Sequence, residues 1–214
     1  DQVTFDLVVN QELNTVYPFW YNTIAYLVSI EPTIQLVFFY YIYRRNDQSD
    51  FQLITYILTD NTYSTEADQK TQVFKKTLIF FQNNNWYLRR ENAERLSQYY
   101  QSENEQILKD YVSNTNTKKH VSTNVLWLIA KLLEKEKTID KKFWKQQIAR
   151  LLKESKESLV LSMALDASAQ FKDLDLLKHN FHERMLIESD NDIIYEYIQA
   201  CQVAAPNNAY TIDL

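Results

Sequence analysis

The residues whose type most readily supports catalysis or metal binding are three histidines, His120, His179 and His182. His179 and His182 are three positions apart, a spacing that puts two side chains on one side of a helix. Zinc takes about four ligands, and Asp175 and Glu183 are the only close candidates to complete such a site. We therefore expect no metal centre. No motif joins a nucleophile to a base and an orienting group, so we also expect no catalytic turnover and no bound cofactor.

Basic and aromatic residues interleave in one stretch of the chain, residues 86–101. The residues concerned are Arg89, Arg90, Arg95, Tyr99 and Tyr100. Such a pattern suits single-stranded nucleic acid, because cations follow the phosphates while rings stack on the bases. The alternative is that the arginines pair with Glu91, Glu94 and neighbouring helices. Asp166 is similarly expected to cap a helix or form a salt bridge rather than act as a catalytic acid.

The composition restricts the fold that positions these side chains. Glycine is absent and proline occurs three times, so few residues suit the tight turns of sheets. Glycine-rich loops that bind phosphates cannot form without glycine. This argues against all-β and Rossmann-type folds. The net charge is −5, and residues 1–60 hold seven acidic but only two basic residues. Cys201 is the only cysteine, so no internal disulfide forms, and a reducing, cytoplasmic location is expected.

Residues 121–169 carry three successive apolar faces at helical spacing, one of them containing Trp144. Together with two further faces, they predict helices that begin near residues 122, 140, 157, 173 and 190. A helix pair then recurs about every 34 residues, which is typical of helical-repeat solenoids. We therefore predict an all-α protein in which antiparallel helix pairs stack as a HEAT-like α-solenoid. The polar joint at residues 114–120 separates an aromatic-rich subdomain (1–113) from a helical-repeat subdomain (121–203), and residues 204–214 form a tail.

Residues 16–43 contain a single formal charge, Glu31. Such a run could be a membrane-spanning segment. Pro32 splits the run into two helices that are too short to span about 30 Å of hydrocarbon. A buried helical hairpin is therefore preferred to a re-entrant or interfacial segment. Its first helix is predicted to face the core with one stripe, which consists of Phe19, Thr23, Tyr26, Leu27 and Ile30. Alternating apolar residues from Val3 to Val9 allow a short N-terminal strand.

Two helix ends have recognisable sequence signals. Residues 102–105 read Ser-Glu-Asn-Glu, a capping box in which Ser102 and Glu105 satisfy each other's backbone amides. Residues 83–85 are three asparagines, and asparagine accepts the left-handed conformation that ends helices when glycine is absent.

The strings at residues 122–133 and 159–166 resemble the α-helical repeat region that follows the polymerase in abortive-infection reverse transcriptases. The resemblance covers roughly residues 120–200 and consists of apolar helix pattern with one tryptophan. It implies an accessory domain that cradles the synthesised strand and the polymerase in antiviral defence. The family's polymerase aspartates are absent, so any enzymatic activity would reside outside this chain.

The sequence thus predicts a non-catalytic interaction or scaffold domain. The alternative is an immunity or adaptor protein that neutralises a toxin or organises a complex, since the acidic N-terminal quarter would complement a basic partner. The expected partner is a protein. Single-stranded nucleic acid is a further candidate, and no membrane span is expected.

Overall fold

A computed structural model describes residues 9–10, 15–31, 33, 67–113 and 118–207 of the chain. These residues are helical apart from one short strand pair, so the predicted all-α class is confirmed. The second helix of the predicted hairpin and most of the tail lie outside the described residues. Across the described ranges, no helix combines the length and the hydropathy needed to cross a bilayer.

Nine α-helices are present in the part of the chain that the structure describes. They are α1 (Tyr21–Ile30), α2 (Ala67–Asn83), α3 (Arg90–Gln98), α4 (Glu105–Ser113), α5 (Lys119–Glu134), α6 (Lys141–Glu154), α7 (Ser158–Ala169), α8 (Leu174–Met185) and α9 (Asn191–Ala204). Single 3-10 turns precede α1 and α4, at Pro18–Trp20 and Ser102–Asn104. Strands β1 (Val9–Asn10) and β2 (Thr15–Val16) pair antiparallel, with Val9 opposite Val16. The end of the predicted N-terminal strand therefore finds a partner that the sequence pattern did not indicate.

The contacts divide the chain into two compact units. The first comprises residues 1–84 and 98–101, and the second comprises residues 85–97 and 102–214. The joint predicted at 114–120 falls within the second unit, and its residues 114–117 lie outside the described ranges. In the first unit, Phe74, Leu78 and Phe81 of α2 are buried, and the Tyr100 ring meets Phe74 edge-on at 5.6 Å between centroids.

The predicted core stripe of α1 is wrong. Phe19 is 72% exposed, and Tyr26, Leu27 and Ile30 are also exposed, whereas Ile24 and Ala25 are buried. Thr23 of the predicted stripe is exposed as well. This segment is apolar or aromatic on several sides, so helical periodicity alone does not determine which side faces inward.

The second unit has α7 at its centre. This helix packs against α5 and α9 and also contacts α6 and α8. It is buried over most of its circumference, through Val160, Leu161, Met163, Ala164, Leu165, Ala167, Ser168 and Ala169. A helix that is apolar nearly all round must be surrounded by other helices, and α7 meets that condition. Further contacts join α6 to α8, α8 to α9 and α4 to α5.

The predicted helix starts agree closely with those observed. Helices α5 to α9 begin at residues 119, 141, 158, 174 and 191. Asp140, Asp173 and Asp190 occupy the N-cap positions of α6, α8 and α9, and each accepts a hydrogen bond from a backbone amide of the first turn. These bonds satisfy donors that have no partner within the helix, which fixes where each helix begins.

Left-handed residues help to end the helices of this glycine-free chain. Asn85, Glu136 and Lys172 have φ values of 56°, 52° and 54°. Asn85 lies in the asparagine run predicted for this role. Glu136 and Lys172 follow α5 and α7, where the amides of Glu136 and Lys172 bond to the carbonyls of Leu133 and Ala169. A side chain with a Cβ is strained in this conformation, so these two turns store a small energetic cost.

Candidate interaction surface

The residues predicted to contact nucleic acid differ in exposure and are divided between the two units. Tyr99 and Tyr100 belong to the first unit and are only 5% and 4% exposed. Arg89 and Arg90 belong to the second unit and are exposed, and Arg95 is partly exposed. Base stacking requires an accessible ring face. Because the two tyrosine rings are buried, we assign them to packing and do not include them in a binding surface.

The three histidines are not brought together. His120 is buried, and its ring meets Tyr87 edge-on at 6.2 Å between centroids. His179 on α8 is exposed, and its Nδ1 lies 2.8 Å from the carbonyl oxygen of Asp175. His182 is partly exposed on the same helix. Within the described ranges, no group of three or more His, Cys, Asp or Glu side chains is arranged to hold a metal ion.

Two lysines in the second unit make the same contact from alternate helices, α4 and α6. Lys109 is the fifth residue of α4, and its Nζ lies 2.9 Å from Oδ2 of Asp140, the N-cap of α6. Lys145 is the fifth residue of α6, and its Nζ lies 2.6 Å from Oδ2 of Asp173, the N-cap of α8. Each lysine hydrogen bond holds the pKa of its aspartate below the usual range. Helix α4 is therefore joined to the start of α6 in the same way as α6 is joined to the start of α8.

Two arginines repeat a second contact at the opposite helix ends. Arg150 of α6 donates from Nη2 to the carbonyl oxygen of Val112 near the end of α4, at 2.9 Å. Arg184 of α8 donates from Nη1 to the carbonyl oxygens of Leu152 and Ser155 at the end of α6, at 3.3 and 2.6 Å. Carbonyls at a helix C-terminus lack partners within the helix and carry partial negative charge, so a guanidinium there is favourable.

Glu105 also joins α4 to α6, a role that the sequence did not predict. Its Oε1 accepts from the backbone amide of Asp140 at 2.7 Å and from the indole Nε1 of Trp144 at 2.9 Å. The carboxylate therefore links α4 to the start of α6, a contact that the local capping pattern does not indicate. Trp144 is fully buried, as its place in the apolar pattern predicted.

A charged cluster lies on α3, α5 and α7. Lys131 of α5 is buried, and its Nζ donates to Glu134, which lowers the pKa of that carboxyl. Burial raises the pKa of Asp166 on α7, although the positive charges of Lys131 and Arg90 oppose the shift. Arg90 also acts on Glu134. The positive charge of Arg90 on α3 therefore acts on a carboxyl of α5 and on one of α7.

An open groove lies between the N-terminal parts of α7 and α9. Its cavity volume is about 350 Å³, and its lining comprises Ser158, Leu159, Ser162, Asp190, Asp192, Ile193, Tyr195 and Glu196. We call it the α7–α9 groove. At one side, Ser158 Oγ donates to Asp190 Oδ2 at 3.0 Å, which ties the two helix starts together. Tyr195 is 61% exposed and Leu159 is 39% exposed, so apolar surface remains accessible there.

Carboxylates of the α7–α9 groove repel one another electrostatically. The pKa of Glu196 is raised, first by burial and then by the negative charges of Asp166 and Asp192. Sequence reasoning did not identify this groove. Its residues are adjacent only because α7 and α9 lie side by side, and single-helix periodicity carries no such information.

No protein family profile, curated protein or solved structure matches this chain.

Proposed function

We propose that this chain is a non-catalytic helical-repeat domain that binds another protein and organises a complex. The observation that carries the proposal is the recurrence of the inter-helix contacts. The lysines Lys109 and Lys145 are 36 residues apart, their aspartate partners are 33 apart, and Arg150 and Arg184 are 34 apart. Contacts that recur with one period indicate that the same structural unit is repeated.

The repeat that best fits these contacts is a HEAT-like helix pair. The pairs would be α4–α5, α6–α7 and α8–α9. In support, α5, α7 and α9 pack side by side, and α6 contacts α8. In α-solenoids each pair buries its apolar face against its neighbours and leaves an extended surface for a partner. An accessory domain of an antiviral-defence reverse transcriptase remains the specific setting we propose, with a cytoplasmic location.

An adaptor or immunity protein is the second candidate, and the acidic α7–α9 groove favours it. Carboxylates around exposed apolar side chains would attract a basic protein and repel the phosphates of nucleic acid. The two candidates differ in the identity of the partner: a polymerase encoded with this chain, or a toxin encoded next to it. Both remain protein-binding functions.

Photo-crosslinking tests the proposal directly. A benzophenone amino acid would replace Tyr195 in the α7–α9 groove, and the matched control would carry it at Lys156, which is also exposed. The variants would be expressed in the cells that naturally make the chain, and adducts would be treated separately with protease and nuclease. We expect position 195 to form one discrete adduct with a protein whose gene lies near the gene for this chain. Nuclease-sensitive adducts alone would overturn the proposal.

A binding assay with single-stranded DNA gives a complementary test. Protein binding as the main function predicts weak affinity for a labelled oligothymidine, and little change when Arg89, Arg90 and Arg95 are replaced together by alanine. Phosphate contacts would instead give tight binding that falls steeply with salt, because each neutralised phosphate releases counterions. Tight binding that the triple variant abolishes would support nucleic acid as the ligand and contradict our proposal.

A further inference from the structure

We infer that the α7–α9 groove binds a protein segment that places a basic side chain next to an apolar one. The inference rests on the proposed function, because it names the kind of partner that the repeat domain recognises. It is carried by the shape of the groove and by the distribution of charge around it.

The apolar part of the groove comes from both helices. Leu159 lies on α7 and Tyr195 lies on α9, and both are exposed, while Ile193 lies almost fully buried beside them. An aromatic ring that is largely exposed, with a leucine on the facing helix, offers surface that gains free energy when a partner covers it. A cavity of about 350 Å³ is at the small end of ligand sites, so it suits one or two side chains of a segment rather than a large cofactor.

The charged part of the groove is acidic and not neutralised locally. In the portion of the chain that the structure describes, no lysine or arginine forms an ion pair with Asp192 or Glu196. Asp190 differs, because its carboxylate is used by Ser158 and by the N-terminus of α9. Asp166 adds a third nearby negative charge at Glu196. A cation brought by a partner would relieve this repulsion, which favours a lysine or, with its planar guanidinium, an arginine.

Other occupants fit less well. Phosphate groups would meet carboxylates of the same sign, which disfavours nucleic acid and phosphorylated peptides. The described carboxylates do not form a cluster suited to a metal ion. A purely apolar segment would leave the carboxylates partly desolvated without a counter-charge, which costs free energy. A segment with adjacent basic and apolar side chains satisfies both parts of the groove.

The test uses labelled twelve-residue peptides that alternate leucine with arginine, with glutamine or with glutamate, titrated with the full chain in fluorescence polarisation. We expect the leucine–arginine peptide to bind most tightly. Replacing Asp192 with Asn and Glu196 with Gln together should weaken it at least about tenfold and flatten its salt dependence. The matched control is Asp175→Asn with Glu183→Gln on α8, which removes the same charge outside the groove. It should leave the affinity unchanged.

If both double variants weakened binding of the leucine–arginine peptide equally, the attraction would be a general charge effect and the inference would be overturned. Equal affinity for the leucine–glutamate and leucine–arginine peptides would also overturn it. The crosslinked partner separates this failure from that of the proposed function. If the identified partner binds the wild type and the groove variant equally, the groove assignment is wrong and the protein-binding function stands. If no protein partner is crosslinked, both fail.

Discussion

Trp144 should be among the most sensitive positions in the second unit. Its ring is fully buried in α6, and its Nε1 donates to the Glu105 carboxylate of α4. Truncating a large buried aromatic side chain typically costs about 3–5 kcal/mol of unfolding free energy, through lost transfer energy and the cavity left behind. Trp144→Ala should fall in that range. Trp144→Phe keeps most of the buried ring but loses the hydrogen bond to a charged acceptor, so it should cost about 1–3 kcal/mol.

Urea unfolding followed by far-UV circular dichroism measures both values. Tyr195→Ala is the matched control, because it also truncates a large aromatic residue but one that is mostly exposed. Such a surface change should alter the unfolding free energy by less than about 0.5 kcal/mol. The reasoning would be refuted if Trp144→Ala cost less than about 1 kcal/mol with an unchanged denaturant slope.

Three further tests concern the caps, the glycine-free turns and a buried carboxyl. Asp173→Ala removes both the α8 cap and the Lys145 ion pair and should cost about 0.5–2 kcal/mol in thermal unfolding, whereas Asp173→Asn retains the cap and should cost less. Glu136→Gly should stabilise by about 0.5–1 kcal/mol, because glycine adopts positive φ without strain, whereas Gln146→Gly within α6 should destabilise by about 1 kcal/mol. Burial raises the pKa of Asp166, so its contribution to stability is fully present below the unfolded pKa of about 3.9 and is lost as the pH rises through the higher folded pKa. Relative to wild type, Asp166→Asn should therefore be more favourable at pH 7 than at pH 3.5; a pH-independent difference would contradict this.

Helix positions in the second unit were predictable because its apolar residues follow a clear period, and α6, α8 and α9 begin at aspartate caps. Asp140 and Asp173 are examples in which local chemistry and packing favour the same boundary. The side of α1 that faces inward was not predictable, since Ile24 and Leu27 are both strongly apolar but differ in exposure. There, only the neighbouring elements decide which residues are buried.

The surface was harder to predict than the helices. Glu105 matched a local capping box, but its carboxylate bonds to Trp144 and to the start of α6, which are distant in sequence. Tyr99 and Tyr100 matched a stacking pattern, but they are buried. The α7–α9 groove is formed by two helices, and the sequence pattern does not show that these helices lie next to each other. A period of about 34 residues was nevertheless visible in the predicted helix starts, and Arg150 and Arg184 now make equivalent contacts at that spacing.

The proposed repeat architecture, on which the proposed binding function depends, is tested most directly by hydrogen exchange of the wild type and of Leu177→Ala. Leu177 is fully buried in α8, so this truncation should cost about 2–5 kcal/mol locally. In a stacked array, each helix pair is stabilised mainly by its contacts with the adjacent pairs. We predict that amide protection falls most in α8 and α9, less in α6, and little in α4. A uniform loss of protection across all helices of the second unit would indicate one cooperative bundle and would contradict the account.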